Sequence, residues 1–287
     1  MIKVKDSKKK YLIVNADDYG YFPCVSSGIL SAARSGVVTA TSVMANRPGI
    51  EEHLSWLSGT DRIDIGIHLN ATYGVPISTA LKDKMSDNQG EFKDKYWWVY
   101  RSSIDRAMVR DLSLEWRAQI ERCLDQGIKI KFLNSHEHVH MLPKLFPVAC
   151  KLAKTYNIQF VRYSTPDWFF LRSLSGAFRN SLMQALCVLD RRSKLPAAQP
   201  RMFGLSASGR LDLDYLEVLV ERLKPGEVGE LMCHPGACED SDIFDSDLLD
   251  YHEWNTEMAA LLGDQFRALR TRKNVELIGY TQLGEMI

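Results

Sequence analysis

Three of the seven histidines fall at alternate positions in one short stretch, Asn134-Ser135-His136-Glu137-His138-Val139-His140, directly after the apolar run 128–133. Side chains two apart on an extended strand point to the same side, so such a segment can aim a row of imidazoles at one point. Imidazole is the commonest protein metal ligand, and a packed core seldom holds three together unless their ring nitrogens find partners. The competing interpretation is a polar surface strand whose histidines face water.

Other residues could complete a metal site. Asp17 and Asp18 stand side by side in Asn15-Ala16-Asp17-Asp18-Tyr19-Gly20. Neighbouring carboxylates point in different directions, so one can bind a cation while the other moves a proton; alternatively, one of them caps the helix that follows. His68 lies in the apolar segment Gly66-Ile67-His68-Leu69, where a hydrogen-bonded core histidine is the plain alternative. His234 precedes a Pro-Gly turn in Cys233-His234-Pro235-Gly236 and could equally be a loop histidine. A carboxylate and two histidines with an open coordination position can activate water, and a further Asp and His can serve as general base and acid. Arg162 could keep Asp17 ionised, since a nearby cation lowers a carboxylate pKa, or it could form a surface salt bridge. Trp97, Trp98 and Tyr100 suit either a sugar-stacking platform or packing against the rim of the fold.

These residues need elements to carry them. Strand-like runs at 11–14, 40–44, 63–69, 130–133, 159–162, 229–233 and 275–278 alternate with helical stretches at 25–35, 114–126, 145–156, 171–189, 214–223 and 251–270. This rhythm predicts a parallel sheet with crossover helices, closed as a barrel or doubly wound. Asp17, Asp18, His68, His136, Arg162 and His234 all fall at or just after strand ends, which share one face in such folds. The expectation is an α/β fold, one (β/α) barrel-like domain over residues 1–287, with insertions near 71–106 and 195–210 looping over the C-terminal face.

Composition removes several function classes. Thirty-six basic and 36 acidic residues cancel, and no long basic run exists to track nucleic acid. The apolar run 11–14 is too short for a signal-peptide core, and no membrane span is expected. Six scattered cysteines without a CxxC pair suit reduced thiols in a cytoplasmic protein. A homodimer is compatible with the sequence.

Taken together, the segments resemble the YdjC-like carbohydrate deacetylase family, also called the chitooligosaccharide deacetylase family. Its N-A-D-D-F/Y-G opening corresponds to Asn15 to Gly20, and its G-I/V-V/I-T-x-T/S stretch to Gly36 to Thr41. The G-I/M-H-L/F segment is Gly66 to Leu69, S-H-x-H-V-H-M-x-P is Ser135 to Pro143, and C-H-P-G/A is Cys233 to Gly236. Order and spacing agree over nearly the whole chain. The resemblance implies a barrel-like fold and one divalent metal ion, zinc or magnesium, held by Asp18, His68 and His136. It further implies Asp17 as base, His234 as acid, and removal of acetyl from an N-acetylated sugar. His138 and His140 would share the face of His136 if the strand stays extended. One departure stands out: the family commonly has Asp where this chain has Asn134, which keeps an acceptor but loses the charge. Hydrolysis of another bond, a phosphoester or a cyclic amide, and a sugar-binding protein without turnover are the rival functions.

Overall fold

A computed structural model describes residues 8–57, 60, 63–85, 90–189, 199–243 and 245–287. Eight strands form one sheet: β1 (Lys10–Tyr19), β2 (Ala40–Val43), β3 (Asp64–Leu69), β4 (Ile130–Ser135), β5 (Phe160–Val161), β6 (Arg201–Phe203), β7 (Val228–Cys233) and β8 (Val275–Leu277). Their order is β5-β4-β3-β2-β1-β7-β6, with β8 beside the start of β1, and every pairing is parallel. Parallel strands covered by helices are buried on both faces, and β1, β2 and β7 are buried almost throughout. The sheet curls into a half-barrel surrounded by helices, an α/β barrel-like single domain.

The sheet order ends at β5 and β6, and side chains span the distance between their ends. The Val161 N–H donates to Gln199 Oε1 at 3.2 Å, and Thr165 Oγ1 donates to the Met202 carbonyl at 3.3 Å. The last residue of the predicted strand 159–162, Arg162, lies just beyond β5 and reaches inward.

Several boundaries differ from the sequence expectation for identifiable reasons. The helix expected from 114 begins at Arg106, because the Asp105 carboxylate accepts from the Ala107 and Met108 N–H groups and caps it there. The stretch 251–270 is not one helix but Trp254–Leu262 and Asp264–Arg272, parted at Gly263. Helix Ile50–Leu57 was not anticipated. Insertion 71–106 contributes the helices Thr79–Lys82 and Lys95–Ile104, while 195–210 contributes β6. Their parts at 86–89 and 195–198 lie outside the described residues. Among the described residues no helix is long and apolar enough to cross a membrane.

The expectation of reduced cysteines is corrected at one pair. Cys24 and Cys238 form a disulfide with Cα atoms 5.0 Å apart, joining positions separated by 214 residues. Local spacing carries no trace of such a bond, because it is made by the packing of the first helix, Pro23–Arg34, on the loop after β7. Cys123, Cys150, Cys187 and Cys233 form no disulfide among the described residues.

That same packing makes Gly28 indispensable. A β-carbon there would lie 2.6 Å from the backbone of Gly236 and Ala237, atoms that cannot rotate aside. Gly28→Ala is therefore expected to destabilise the fold by about 1–3 kcal/mol through overpacking. Thermal unfolding checks this, and an unchanged Tm would show that helix and loop can separate freely.

Candidate active site

The site is assembled at the C-terminal ends of the strands, and two backbone irregularities set its geometry. The register of β1 against β2 shifts between Ala16 and Tyr19, and Asp18 adopts φ +69°. Aspartate tolerates this left-handed region better than most side chains. The break lets two consecutive carboxylates serve one cavity, which a regular strand would forbid. The second irregularity ends β4 at Ser135. Residues His136–Met141 form a tight turn with Glu137 at φ +50° and His138 at φ +56°.

This turn corrects the expectation of three histidines on one face. His136 Nδ1 approaches Asp18 Oδ1 at 3.0 Å. His138 Nδ1 instead meets Ser164 Oγ at 2.9 Å. His140 turns back into the fold, pairing Nδ1 with Ser135 Oγ and Nε2 with the Arg162 carbonyl at 2.9 Å. Burial, aided by the charge of Arg162, holds His138 well below the ordinary histidine pKa. Burial also takes His140 down to about 3, despite its bond to the Arg162 carbonyl. Both are neutral rings that brace the turn, and neither lies in the group of candidate donors described next.

Asp18, His68 and His136 form that group: one carboxylate oxygen and two ring nitrogens all lie within 4.8 Å of one another. His68 Nε2 is 3.1 Å from the Asp18 Oδ1 that His136 also meets. On the other edge of the ring, His68 Nδ1 lies 2.8 Å from Asn134 Oδ1. Donation of its proton to that amide oxygen leaves the Nε2 lone pair facing Asp18, the tautomer a ligand requires. One hard oxygen and two borderline nitrogens without thiolate fit a single divalent cation. Burial opposes the charge of Asp18, but the two imidazoles hold its carboxyl well below the usual range.

Asp17 is bound from almost every side. Its Oδ1 accepts from Asn15 Nδ2 at 2.6 Å, Ser42 Oγ at 2.9 Å, Asn134 Nδ2 at 2.8 Å and Arg162 Nη2 at 3.0 Å. Among the described residues Oδ2 accepts only from Arg162 Nη1, at 2.6 Å. Burial would raise its pKa, yet the Arg162 guanidinium and His68 reverse that and hold it below the ordinary carboxylate value. Arg162 itself is 1 % exposed, so the salt bridge is a buried one, not one at the surface. Its Nε donates to Glu230 Oε1 at 2.8 Å, giving one cation between two carboxylates.

His234 faces the same cavity from the end of β7. Glu257 lies behind it, accepting from the His234 backbone N–H and standing 3.7 Å from its Nδ1. Burial alone would lower the histidine's pKa, but Glu257, with Asp18 and Asp17 behind it, pushes it up to about 9. His252, 5.0 Å away ring to ring, is pushed down to about 3 by burial and by the charge of His234. A cavity of about 580 Å³ connects Asp17, Asp18, His68, His136 and His234.

Glu230, Glu257, Ser42 and His252 were not found from sequence, although two carried a signal. Glu230 is the one charge inside the fully buried strand β7, which demands a buried cation. Glu257 shares the buried face of its helix with Trp254 and Leu261. Of the aromatic group, Trp98 is fully buried and donates its Nε1–H to the Ala71 carbonyl, so it offers no stacking face. Trp97 is half-buried and packs against the core, and Tyr100 is exposed. From that helix Lys95, Tyr96 and Val99 line the cavity, and these three aromatics do not.

A half-barrel of parallel strands with an Asp-His-His cluster beside a second, arginine-bound aspartate defines an α/β barrel-like protein with a candidate metal site. Comparison with known proteins makes it specific: residues 11–272 match the model of the YdjC-like protein family, and the chain belongs to that family. It is 28% identical over 272 residues to a carbohydrate deacetylase of Clostridium beijerinckii, covering 95% of this chain and 99% of that one. It is likewise 28% identical over 274 residues to a carbohydrate deacetylase of Brevibacillus brevis, with the same coverage. A solved structure from Enterococcus faecalis V583, described as a "putative cellobiose-phosphate cleavage protein", superposes with a TM-score of 0.73 at 24% identity, covering 96% of this chain and 99% of that one. That likeness shows the fold.

The donor set leads to a direct test. Metal analysis of the purified protein after incubation with zinc or magnesium is expected to give one ion per chain, and His68→Ala to lose it. Full occupancy in the variant would remove His68 from the site.

Proposed function

We infer that this chain is a metal-dependent hydrolase that removes acetyl from an N-acetylated carbohydrate, releasing acetate and an amino sugar. The observation that carries it is the opposition of two groups across one cavity. Asp17 is kept as an anion by Arg162, and His234 is kept as a cation by Glu257, beside a cluster fit for a divalent ion. The full-length relatives named carbohydrate deacetylases support the same reading.

A divalent ion held by Asp18, His68 and His136 would polarise the acetamide carbonyl and lower the pKa of a water toward roughly 7. The remaining work belongs to the chain. Asp17 takes the proton of the attacking water, and Oδ2 is the atom with room for it, because Oδ1 already accepts four hydrogen bonds. Arg162 holds Asp17 in one orientation while it does so. As the C–N bond breaks, His234 gives its proton to the departing nitrogen, which leaves as an amine rather than an amide anion. Glu257 stabilises the imidazolium before that transfer.

Two rival functions receive less support. Lys95 and Arg179 are the lysine and arginine of the cavity wall, and both are engaged, Lys95 with Glu137 and Arg179 with the Leu205 and Ser206 carbonyls. Beyond His234 and the proposed ion, a phosphoester would find no uncommitted lysine or arginine in the described cavity wall. Loss of turnover was suggested by Asn134, but its amide does two jobs: it accepts from His68 and donates to Asp17. A carboxylate in its place could not donate to Asp17.

Acetate release from a panel of N-acetylated sugars tests the assignment. Asp17→Asn is expected to lower kcat by about 10²–10⁴-fold while the metal stays bound. If the variant loses metal instead, Asp17 and Asp18 have exchanged roles.

For His234 the sign follows from its raised pKa: the donor is charged at neutral pH and is lost as pH rises. The falling limb of kcat/KM is expected between about 6.5, the unperturbed histidine value, and about 9. His234→Ala should remove that limb and slow an amide far more than an activated ester, whose leaving group needs no proton. Equal losses on both substrates would mean that His234 positions the substrate.

A further inference from the structure

His252 stands beside His234, yet no proton-transfer step requires it. It closes helix Ser246–Tyr251, where its backbone N–H donates to the Leu248 carbonyl at 2.9 Å, and it lines the cavity. Three rings hold its imidazole in place. The Trp254 indole stacks on it at 4.8 Å and 18°, Tyr251 meets it edge to face at 4.7 Å, and His234 stands 5.0 Å away at 61°. A ring clamped in this way has one orientation and little freedom to leave it.

Its nitrogens set it apart. His53, His68, His136, His138 and His140 each have a ring nitrogen paired, with Ser26, Asn134, Asp18, Ser164 and Ser135 respectively. His252 is 7% exposed, its Nδ1 is buried without a hydrogen-bond partner, and its ring makes no hydrogen bond among the described residues. Leaving a buried nitrogen unpaired opposes folding, and phenylalanine would fill the same aromatic slot without that cost. A histidine in such a slot, facing a reaction cavity, is explained by a partner that arrives with the ligand.

Charge and position say what that partner is. Burial and the positive charge of His234 keep the His252 ring neutral, so it carries one N–H donor and one bare acceptor nitrogen. A hydroxyl group, which also donates and accepts, is its natural complement. His234 must reach the acetamide nitrogen, and His252 lies ring against ring with it. A hydrogen bond from each ring spans about 3 Å, so the group facing His252 sits on a carbon adjoining the one that bears the acetamide. In an N-acetylglucosamine ring those neighbours carry the anomeric oxygen and the 3-hydroxyl. The anomeric oxygen of a linked sugar is an ether and only accepts, whereas the 3-hydroxyl does both.

Resting on the deacetylase reading, we propose that His252 binds the 3-hydroxyl of the sugar being deacetylated and restricts the substrate to N-acetyl sugars in which that hydroxyl is free. An ether or glycosidic link at that oxygen removes the donor and brings a substituent against the Trp254–His252 stack. The contact anchors the sugar ring beside the departing nitrogen, so it serves the alignment of His234 as well as affinity.

The test uses the methyl β-glycoside of N-acetylglucosamine, its 3-deoxy analogue and its 3-O-methyl ether, with binding followed by calorimetry and turnover by acetate release. Wild type is expected to lose about tenfold or more in kcat/KM on the 3-deoxy compound, and more again on the ether. His252→Phe keeps the stack on Trp254 but removes both nitrogens, and should treat the parent and the deoxy compound alike. His252→Asn, whose amide has a donor and an acceptor, should restore part of the discrimination. Equal turnover of parent and deoxy compounds by wild type overturns the inference, and that measurement needs no variant to fold. Discrimination that survives unchanged in His252→Phe overturns it too, because the hydroxyl would then be held by another group. If the compounds bind with the His252-dependent preference but release no acetate, the deacetylase reading falls and the inference stands.

Discussion

Arg162 carries its charge where water cannot reach it, and the site's arrangement follows from compensating that charge. A buried guanidinium is tolerable only when paired and fully hydrogen-bonded, and here Asp17 and Glu230 provide both. The three residues come from β1, from just beyond β5 and from β7, so the ion cluster joins the centre of the sheet to its open side. Removing the arginine would strand two buried carboxylates, a loss of about 3–5 kcal/mol by comparison with other broken buried pairs. The same contact fixes Asp17 as an anion. Structural cost and catalytic readiness therefore have one origin.

The acid side of the site is built on the opposite principle. His234 is charged because a carboxylate stands behind it, and Glu257 is in turn held by the Leu211 and His234 N–H groups. Between the two poles lie neutral rings: His138, His140 and His252 are kept unprotonated largely by burial. Linkage gives the two poles opposite pH signatures. The stability from Asp17 is complete above the ordinary carboxylate pKa near 3.9 and fades as acid titrates it. The stability from His234 is complete below about 6.5 and is lost as pH rises through about 9. The native state is thus favoured most in the interval between them, where the proposed base and acid are both ready.

How far the sequence disclosed this depends on how local each cause is. The βα alternation, the strand-end position of Asp17, His68 and His234, and the barrel-like class follow from short-range periodicity, and they were legible. The three-histidine row was legible as a cluster but not as a geometry. Alternation predicts one face, whereas two left-handed residues at Glu137 and His138 send the rings three ways. Histidine visits that region more often than most residues, but no propensity argument singles out a glutamate for it. Glu257 and Glu230 were hidden because their partners lie 23 and 68 residues away in sequence. The Cys24–Cys238 bond was hidden for the same reason, and β6 because a three-residue strand bordered by proline and glycine has no period to detect.

The bulge in β1 gives Asp17 and Asp18 different partners through backbone phase alone. The two residues are chemically identical, and nothing in either side chain says which should face the guanidinium and which the imidazoles. That distinction is written in the position of one irregular peptide unit and in the left-handed twist at Asp18. A one-residue slip of β1 would keep the motif intact as text, yet present the wrong aspartate to each neighbour. The pair is therefore meaningful only as part of a correctly registered sheet. A search for the two letters alone would accept chains in which the chemistry has been lost.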